Sequence, residues 1–454
     1  MKIKKNRLFR FAVVLLLCSA LAASLTACLG GSSPADTAST TTNVEATAPK
    51  QDPQYARDII MTNDFTNEER NRYLREDILF FAEEFPKKHK YPFTYLTKES
   101  FQQQTEKLAD RVGQLSNHEV FVELNKIIAQ VKDAHTSIEY WDGYSYPLRF
   151  YLFGDGIYVV NADQGLYDAM YGRVTAINGV PIDEVLKQLT ELVSYENESW
   201  LKSLLPKYLI KPVHLNGLGL IENEKSTLFT IDKDGQEKEI LVPTLSYGEG
   251  GSWIHADQKD VFLGNYKQNY EYRYLPEHQT LYFEYNACTE QEGLKFSEFN
   301  KQMFEEIEKQ SPKRLILDLR SNGGGDSRIL NPFTEQLKKY TAKHPDMQVF
   351  ILIGRNTFSS GMFAIYRTIE AVPNAVTVGE PSGGAIDCYG EVRMFQLPNS
   401  LLPIGYSTKY FEFSSDFSYK NSGKGTFVPD VEMTPTFEDY VKGNDVVLNY
   451  ALSN

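Results

Sequence analysis

Two short runs of this sequence place small and nucleophilic residues where a ligand can reach them. The first is Arg320-Ser321-Asn322-Gly323-Gly324-Gly325, which follows a segment, 314–319, that is apolar between its terminal arginine and leucine except for Asp318. Consecutive glycines let the chain turn with positive φ and expose amide N–H groups. At the carboxyl end of a strand in a twisted parallel sheet, that is where ligands bind. The second run is QVFILIG, then Arg355-Asn356-Thr357-Phe358, then Ser359 and Ser360 at the opening of a helical pattern through Phe363, Ile365 and Ile369. A serine there has its hydroxyl near the positive helix end, with the next N–H pointing outward towards a developing oxyanion. The same position equally suits a plain N-cap, a role for which serine is favoured. Local sequence leaves both readings of Ser359 open.

The elements that would carry these runs follow from periodicity. From about 269 onward, apolar strands alternate with amphipathic helices, the pattern of a mostly parallel sheet with crossover helices. TLYFEYNAC, RLILDLR, QVFILIG and AVTVGE read as strands, and SEFNKQMFEEIEKQ, SRILNPFTEQLKKYTAKH and SSGMFAIYRTIEAV as the helices between and after them. Between 146 and 245 the signals are strands and turns: a hairpin about Gly154-Asp155-Gly156, a strand and helix joined at Asn178-Gly179, and a hairpin about Lys233-Asp234-Gly235. Between 58 and 130 apolar residues recur at spacings of three and four, with Ser116 and Glu119 as the cap of the helix that ends near Lys132.

LILDLRSNGGG, then ILIGRNTFSSG, then VTVGEPSGG stand in the order of the signature of the tail-specific and tricorn-like serine peptidases, and the chain resembles that family. VKDAHTSI and the strand, Asn-Gly, helix unit, similar to part of a PDZ-like module, fall in family order as well. The resemblance implies an α/β multidomain chain: an N-terminal helical domain over 56–140, a PDZ-like β-rich domain over 145–245, and a ClpP/crotonase-like layered catalytic core over 246–454. It implies a serine-type peptidase acting on protein or peptide substrates, with Ser359 as nucleophile and Ser360 as the neighbouring alternative. The oxyanion hole would be the amide of Ser360 with one from Gly323 or Gly324.

The family's serine–lysine branch places its base after Val-Gly-Glu, where this chain has Ala385. The tricorn-like branch uses a histidine in an Asp-x-His-Thr setting, which Asp133-Ala134-His135-Thr136 resembles, so His135 is the implied general base. An imidazole, with an unperturbed pKa of about 6.5, takes and returns a proton near neutral pH. A helix-terminating histidine bonded to backbone is the other reading of that residue. Two departures from the family stand out: Ala134 replaces a supporting serine, and Met362 a glutamate. The supporting acid is open among Asp387, Glu391, Glu412 and Asp416. Phe427-Val428-Pro429-Asp430 resembles the family's closing element.

The amino end reads as an export signal. MKIKKNRLFR has five basic residues and no acidic one, and it runs into an apolar stretch ending Leu25-Thr26-Ala27-Cys28, which resembles a lipobox. The reading is a lipoprotein signal over 1–27, acylated Cys28, a flexible Ser/Thr/Ala/Pro-rich tether over 28–55, and a lipid-anchored location on the extracytoplasmic face of the cell membrane. The net charge of −13 argues against nucleic-acid partners. Seven scattered histidines, with no HExxH or CxxC run, give no metal or cofactor to expect. Export permits a disulfide between Cys288 and Cys388 without requiring one.

Overall fold

A computed structural model describes residues 66–138, 143–246, 251–255, 264, 266–416 and 425–454. The signal, Cys28 and the tether lie outside the described residues, as does the start of the helical region.

The described chain opens with three capped helices. Thr66 starts α1 (Asn67–Lys88) and Ser116 starts α3 (Asn117–Ala129), each through a reciprocal capping box with the glutamate three residues on, Glu69 and Glu119. Thr97 caps α2 (Lys98–Arg111). Val120, Phe121, Leu124, Ile127 and Ile128 of α3 are buried, as their spacing predicts. The helix stops at Gln130, and Lys132, with φ 58°, turns the chain so that it cannot continue helically. Residues 133–136 then lead into β1 (Ser137–Ile138).

A β-rich part follows. β2 (Tyr144–Ser145) precedes the hairpin β3 (Leu148–Phe153) and β4 (Gly156–Ala162); β5 (Arg173–Ile177) turns at Asn178-Gly179 into β6 (Val180–Pro181) and α4 (Ile182–Thr190). Two helices that the sequence pattern does not announce come next, α5 (Glu198–Leu209) and α6 (Pro212–Gly217). β7 (Ser226–Lys233) and β8 (Gln236–Pro243) close around Asp234-Gly235, and β9 (Leu245–Ser246) pairs with β2. The sheet order is β3-β4-β5-β7-β8, antiparallel throughout.

The last part is layered. β10 (Tyr270–Leu275) lies antiparallel to β11 (Thr280–Tyr285), from which β12 (Arg314–Asp318), β13 (Gln348–Ile353) and β14 (Val376–Gly379) run parallel, with α7 (Phe296–Gln310), α8 (Asn331–Lys343) and α9 (Ser360–Ala371) in the connections. Alternate residues of each strand face opposite ways. Phe283, Leu315, Leu317, Ile351 and Ile353 pack with α7 to α9, while Tyr282, Ile316, Phe350 and Leu352 pack with Val447 and Ala451 of the carboxyl-terminal helix. With both faces covered, these strands read as near-continuous apolar runs, which is why they are legible.

After β14 comes a long hairpin, β15 (Asp387–Gln396) and β16 (Pro403–Glu412). Its tip residues Leu397, Leu402 and Ile404 join the apolar cluster of α1 to α3. Asp77 of α1 accepts the backbone N–H groups of Asn399 and Ser400 at 2.8 and 2.7 Å, and burial pushes its carboxyl up to about 6. Along the same hairpin, β1 pairs with β16, Ser137 opposite Gly405. This strand pairing carries His135, two residues before β1, towards the turn that bears Ser359. The short β17 (Val431–Glu432) pairs with β14, and α10 (Phe437–Lys442) and α11 (Val446–Ser453) finish the chain.

Candidate active site

Ser359 sits where β13 turns into α9, with φ 52° and ψ −123°. A non-glycine residue in that region costs of order 1–3 kcal/mol and persists only where its surroundings impose it. The surroundings are visible. Thr357 Oγ1 donates to the carbonyl of Leu319 at 2.9 Å and accepts the Gly354 N–H at 3.0 Å, and the Phe358 N–H donates to the carbonyl of Asn322 at 2.9 Å. The turn after β13 is thereby fastened to the loop after β12. A strained serine on a strand-to-helix turn is the geometry of a nucleophile elbow.

The cap reading of Ser359 makes a definite demand, and the structure does not meet it. Ser359 occupies the N-cap position of α9 but its side chain makes no capping hydrogen bond. Its neighbour is committed elsewhere: Ser360 Oγ donates to the carbonyl of Gly325 at 2.5 Å. Of the two hydroxyls, the one left for chemistry is that of Ser359. As the first residue of α9, Ser360 has an N–H with no intrahelical partner.

The glycine run lies directly against this serine. A Cβ on Gly324 would stand 2.7 Å from Ser359 Cβ, 3.2 Å from Ser359 Oγ and 3.0 Å from the Ser360 nitrogen, and Gly324 has φ 111°. Its own N–H is already given to Asn322 Oδ1 at 3.0 Å. Of the two glycines, Gly323 therefore keeps its N–H without a backbone partner among the described residues, and a Cβ there would meet open space. Asn322, fully buried, is the hub: its Nδ2 donates to the carbonyl of Tyr285, while its Oδ1 accepts from Gly324 and, at 3.4 Å, from Cys288 Sγ.

His135 reaches the same turn from the other side. Its ring stacks on Phe358 with centroids 4.5 Å apart, and Trp200 of α5 stacks on Phe358 at 3.8 Å. One face of a phenyl ring has no room for both, so Phe358 is held between them. The His135 side chain is only 9% exposed, and among the described residues neither of its ring nitrogens has a hydrogen-bond partner, Ser359 Oγ included. Burial lowers its pKa, against the partial opposition of Asp133, whose Oδ1 lies 3.9 Å from Nδ1.

Asp133 is placed by several groups. Oδ1 accepts the His135 backbone N–H at 2.8 Å; Oδ2 accepts the Thr136 hydroxyl at 2.6 Å and faces His89 Nε2 at 2.9 Å. The Tyr91 N–H donates to His89 Nδ1 at 3.1 Å, so Nδ1 is the acceptor and Nε2–H the donor to Asp133. Burial alone would raise the Asp133 carboxyl, but His89, His135 and Thr136 together hold it below the usual carboxylate range. Glu196 beside it goes the other way, raised by burial and by the charge of Asp133. The two neighbouring carboxyls are thus pushed in opposite directions.

No family model matches the sequence, and no curated protein matches it. Solved structures do. Mature CPAF complexed with lactacystin aligns over 84% of this chain and 98% of its own, at a TM-score of 0.59 and 13% identity. The chain has the CPAF fold. A CPAF mutant aligns over 85% and 98% of the two chains, at 0.58 and 12%. The photosystem II D1 C-terminal processing protease also matches, over 80% and 93%, at 0.38 and 11%. The CPAF likeness extends over nearly all of the CPAF chain, so the mixed α/β, multidomain arrangement of helices, antiparallel sheet and layered sheet is common to the two.

Within this CPAF-like fold, Ser359, Ser360, Gly324 and the ring of His135 come together around the turn 354–359. At Ala385 the chain has a buried methyl group, and the preceding Gly384 packs so tightly that a Cβ would stand 2.4 Å from Met362 Cγ. The four acids weighed from sequence have other places: Asp387 accepts the N–H and hydroxyl of Ser414, Glu391 pairs with Lys409, Glu412 ends β16 on an exposed position, and the side chain of Asp416 lies outside the described residues. Among the described residues, the carboxylate within ion-pair distance of His135 is Asp133. Its signal was in the motif, since an Asp accepting a backbone N–H two residues on is the Asx turn. Cys288 and Cys388 are free and buried, and burial pushes the Cys288 thiol up to about 12.

Proposed function

We propose that the chain is a serine-type peptidase that cleaves peptide bonds through an acyl-enzyme on Ser359. The observation that carries this reading is the strained backbone of Ser359 together with a hydroxyl that makes no capping bond, set beside the Ser360 N–H, which has no intrahelical partner. Ser359 Oγ attacks the carbonyl carbon as His135 takes the hydroxyl proton. The N–H groups of Ser360 and Gly323 bind the oxyanion, and His135 returns the proton to the leaving amine. Water then repeats the sequence on the ester and restores Ser359. With Nδ1 turned to Asp133, Nε2 is the nitrogen that serves the hydroxyl. The Ser359–His135 hydrogen bond closes as substrate settles, a tightening common to such sites. The test is a fluorophosphonate probe: labelling mapped to Ser359, together with turnover of an unstructured peptide, is expected.

The finer architecture belongs to the same proposal. The layered sheet is a ClpP/crotonase-type core, β3 to β8 with α4 form a PDZ-like module, and residues 1–27 export a chain anchored through acylated Cys28. Sheet order and helix placement support the first two, and the sequence supports the last.

A pH profile checks the base. His135 must be neutral to act, and burial lowers its pKa, so the acidic limb of kcat/KM is expected below the ordinary histidine value of about 6.5. Asp133 opposes that lowering, so Asp133→Asn is expected to move the limb lower still while reducing the plateau by about 10²-fold or more through loss of ring orientation. A limb at or above pH 6.5 assigned to His135 contradicts this base.

One observation favours a second reading, a non-catalytic peptide-binding protein on the same fold: among the described residues the His135 ring nitrogens have no hydrogen-bond partner, Ser359 included. Absence of labelling anywhere between about pH 6 and 9, where a histidine base is neutral or nearly so, selects it.

A further inference from the structure

The chain is acidic overall, with 60 Asp and Glu against 47 Lys and Arg. Two of its buried arginines are matched, Arg320 by Asp318 and Asp445 and Arg355 by Glu380. One half-buried arginine and two exposed lysines that stand together are not. Arg149 of β3 and Lys202 and Lys207 of α5 line a single cavity of about 520 Å³, and none of the three pairs with a carboxylate among the described residues. Arg149 lies over the ring of Trp253 at 4.2 Å and donates to the carbonyl of Leu148; Lys207 stands 5.8 Å from the ring of Trp200. These contacts orient the cations without neutralising them. Burial depresses the pKa of Arg149, with no charge opposing it. That is the cost of holding a charge partly out of water, which an entering anion relieves.

The recess borders the start of the turn that bears Ser359. Asn356 forms part of its wall, and Ser203 Oγ of α5 donates to Asn356 Oδ1 at 2.5 Å. Trp200 of the same helix stacks on Phe358. The helix bearing two of the cations is thus fastened to the turn that ends in Ser359. Two residues, Thr357 and Phe358, stand between Asn356 and Ser359, so the lip lies within roughly 11 Å of the nucleophile. An extended peptide advances about 3.3 Å per residue, which puts the lip within roughly three residues of the scissile bond.

We propose that this cavity is a specificity pocket for an acidic side chain of the peptide substrate, held by Arg149, Lys202 and Lys207 within a few residues of the bond cleaved at Ser359. The proposal rests on the peptidase reading above. It assigns a carboxylate as the group bound, and a side chain rather than a chain terminus as its source, because the cavity flanks a turn past which an extended substrate continues. Arg355, in the same wall, is already satisfied by Glu380 at 2.5 Å and serves as packing.

The experiment compares peptides that differ by Glu→Gln at each position within four residues of the cut, on either side. For the wild-type chain, one position is expected to lower kcat/KM by about tenfold or more when the charge is removed, the size expected for losing an ion pair in a partly desolvated site. In Lys207→Met and in Lys202→Gln, the Glu to Gln ratio at that position is expected to fall towards one. Because each variant is compared with itself, a general loss of folded protein cancels. Equal cleavage of Glu and Gln peptides at every position overturns the pocket, as does a ratio unchanged in both variants. Amidating the carboxyl terminus is the control for source: discrimination that follows the terminus and ignores the side chain overturns the side-chain assignment. Fluorescence anisotropy of the same peptides on Ser359→Ala separates the two levels of inference. Tighter binding of the Glu peptide there supports the pocket even where the wild-type chain cleaves nothing, whereas absence of cleavage alone counts against the peptidase reading.

Discussion

Replacing Ser359 with alanine is expected to reduce kcat by about 10⁴-fold or more and to abolish fluorophosphonate labelling, while leaving the thermal midpoint close to that of the wild type. The size follows from the role: without the nucleophile there is no acyl-enzyme, and only the oxyanion donors and substrate binding remain. The backbone provides a second, independent reading of the same residue. Ser359 holds φ 52° and ψ −123°, which glycine adopts freely and alanine does not. Ser359→Gly is therefore expected to be as inactive as the alanine variant yet more stable, by about 1 kcal/mol, since the strain kept for function is released. Ser360→Ala is the contrast. Its hydroxyl is spent on the carbonyl of Gly325, and its part in the chemistry is its N–H, which alanine keeps. That variant is expected to lose stability of about 1 kcal/mol and to retain labelling. Measuring labelling rate, peptide turnover and melting temperature on all three decides the matter. If Ser360→Ala is dead and Ser359→Ala active, the nucleophile has been misassigned.

Much of the fold was legible because its signals are local. The capping box at Ser116, the Asn178-Gly179 and Asp234-Gly235 turns, and the two-sided burial of β11 to β13 are each written within a few residues. The hairpin β15 to β16 was not read, and the reason is physical. Its tip has no tight-turn pair of residues; it is held instead by Asp77, more than three hundred positions upstream, which binds the N–H groups of Asn399 and Ser400. α5 went unread for a similar reason: Pro206 lies inside it and its cap is Asn197, whose Nδ2 also reaches the carbonyl of Gly383. Tertiary contacts decide such segments, and one-dimensional periodicity does not carry them.

The site divides along the same line. Residue types and order single out Ser359, the glycine run and His135, but they cannot separate a cap from a nucleophile, because the difference lies in a dihedral angle and a missing side-chain bond. Nor do they rank acids, which are chosen by proximity in space. Asp133 was hidden in its own motif, read as context while its partner was sought in the carboxyl-terminal part. His89 and Trp200 carry no sequence mark of their roles. Each acts through a neighbour, one by fixing Asp133 and the other by bracing Phe358.

Alanine at each of the three consecutive glycines is expected to have a different outcome, and Gly324→Ala is expected to fail at the chemistry. The added methyl group would stand 2.7 Å from Ser359 Cβ and 3.0 Å from the Ser360 nitrogen, in the space between the nucleophile and one oxyanion donor. Losing one such donor costs about 10²–10³ in rate, and displacing a nucleophile by about 1 Å costs about 10² more, so kcat is expected to fall by about 10³-fold or beyond. The φ of 111° adds strain of order 1–3 kcal/mol, which shows as a lowered melting temperature in a chain that still folds. Gly323→Ala meets open space, keeps its N–H and is expected to retain activity within about tenfold, less than the cost of one lost oxyanion donor. Gly325→Ala would drive a methyl group to 2.2 Å from the Cys288 carbonyl, at the place where the loop runs beside the chain leaving β11, and it is expected to impair folding before activity is reached. Turnover, labelling rate and thermal melting of the three variants separate these outcomes. Activity within tenfold of wild type for Gly324→Ala would mean that the reacting carbonyl does not sit between Ser359 and the glycine loop, because no substrate oxygen could share that space with the new methyl group.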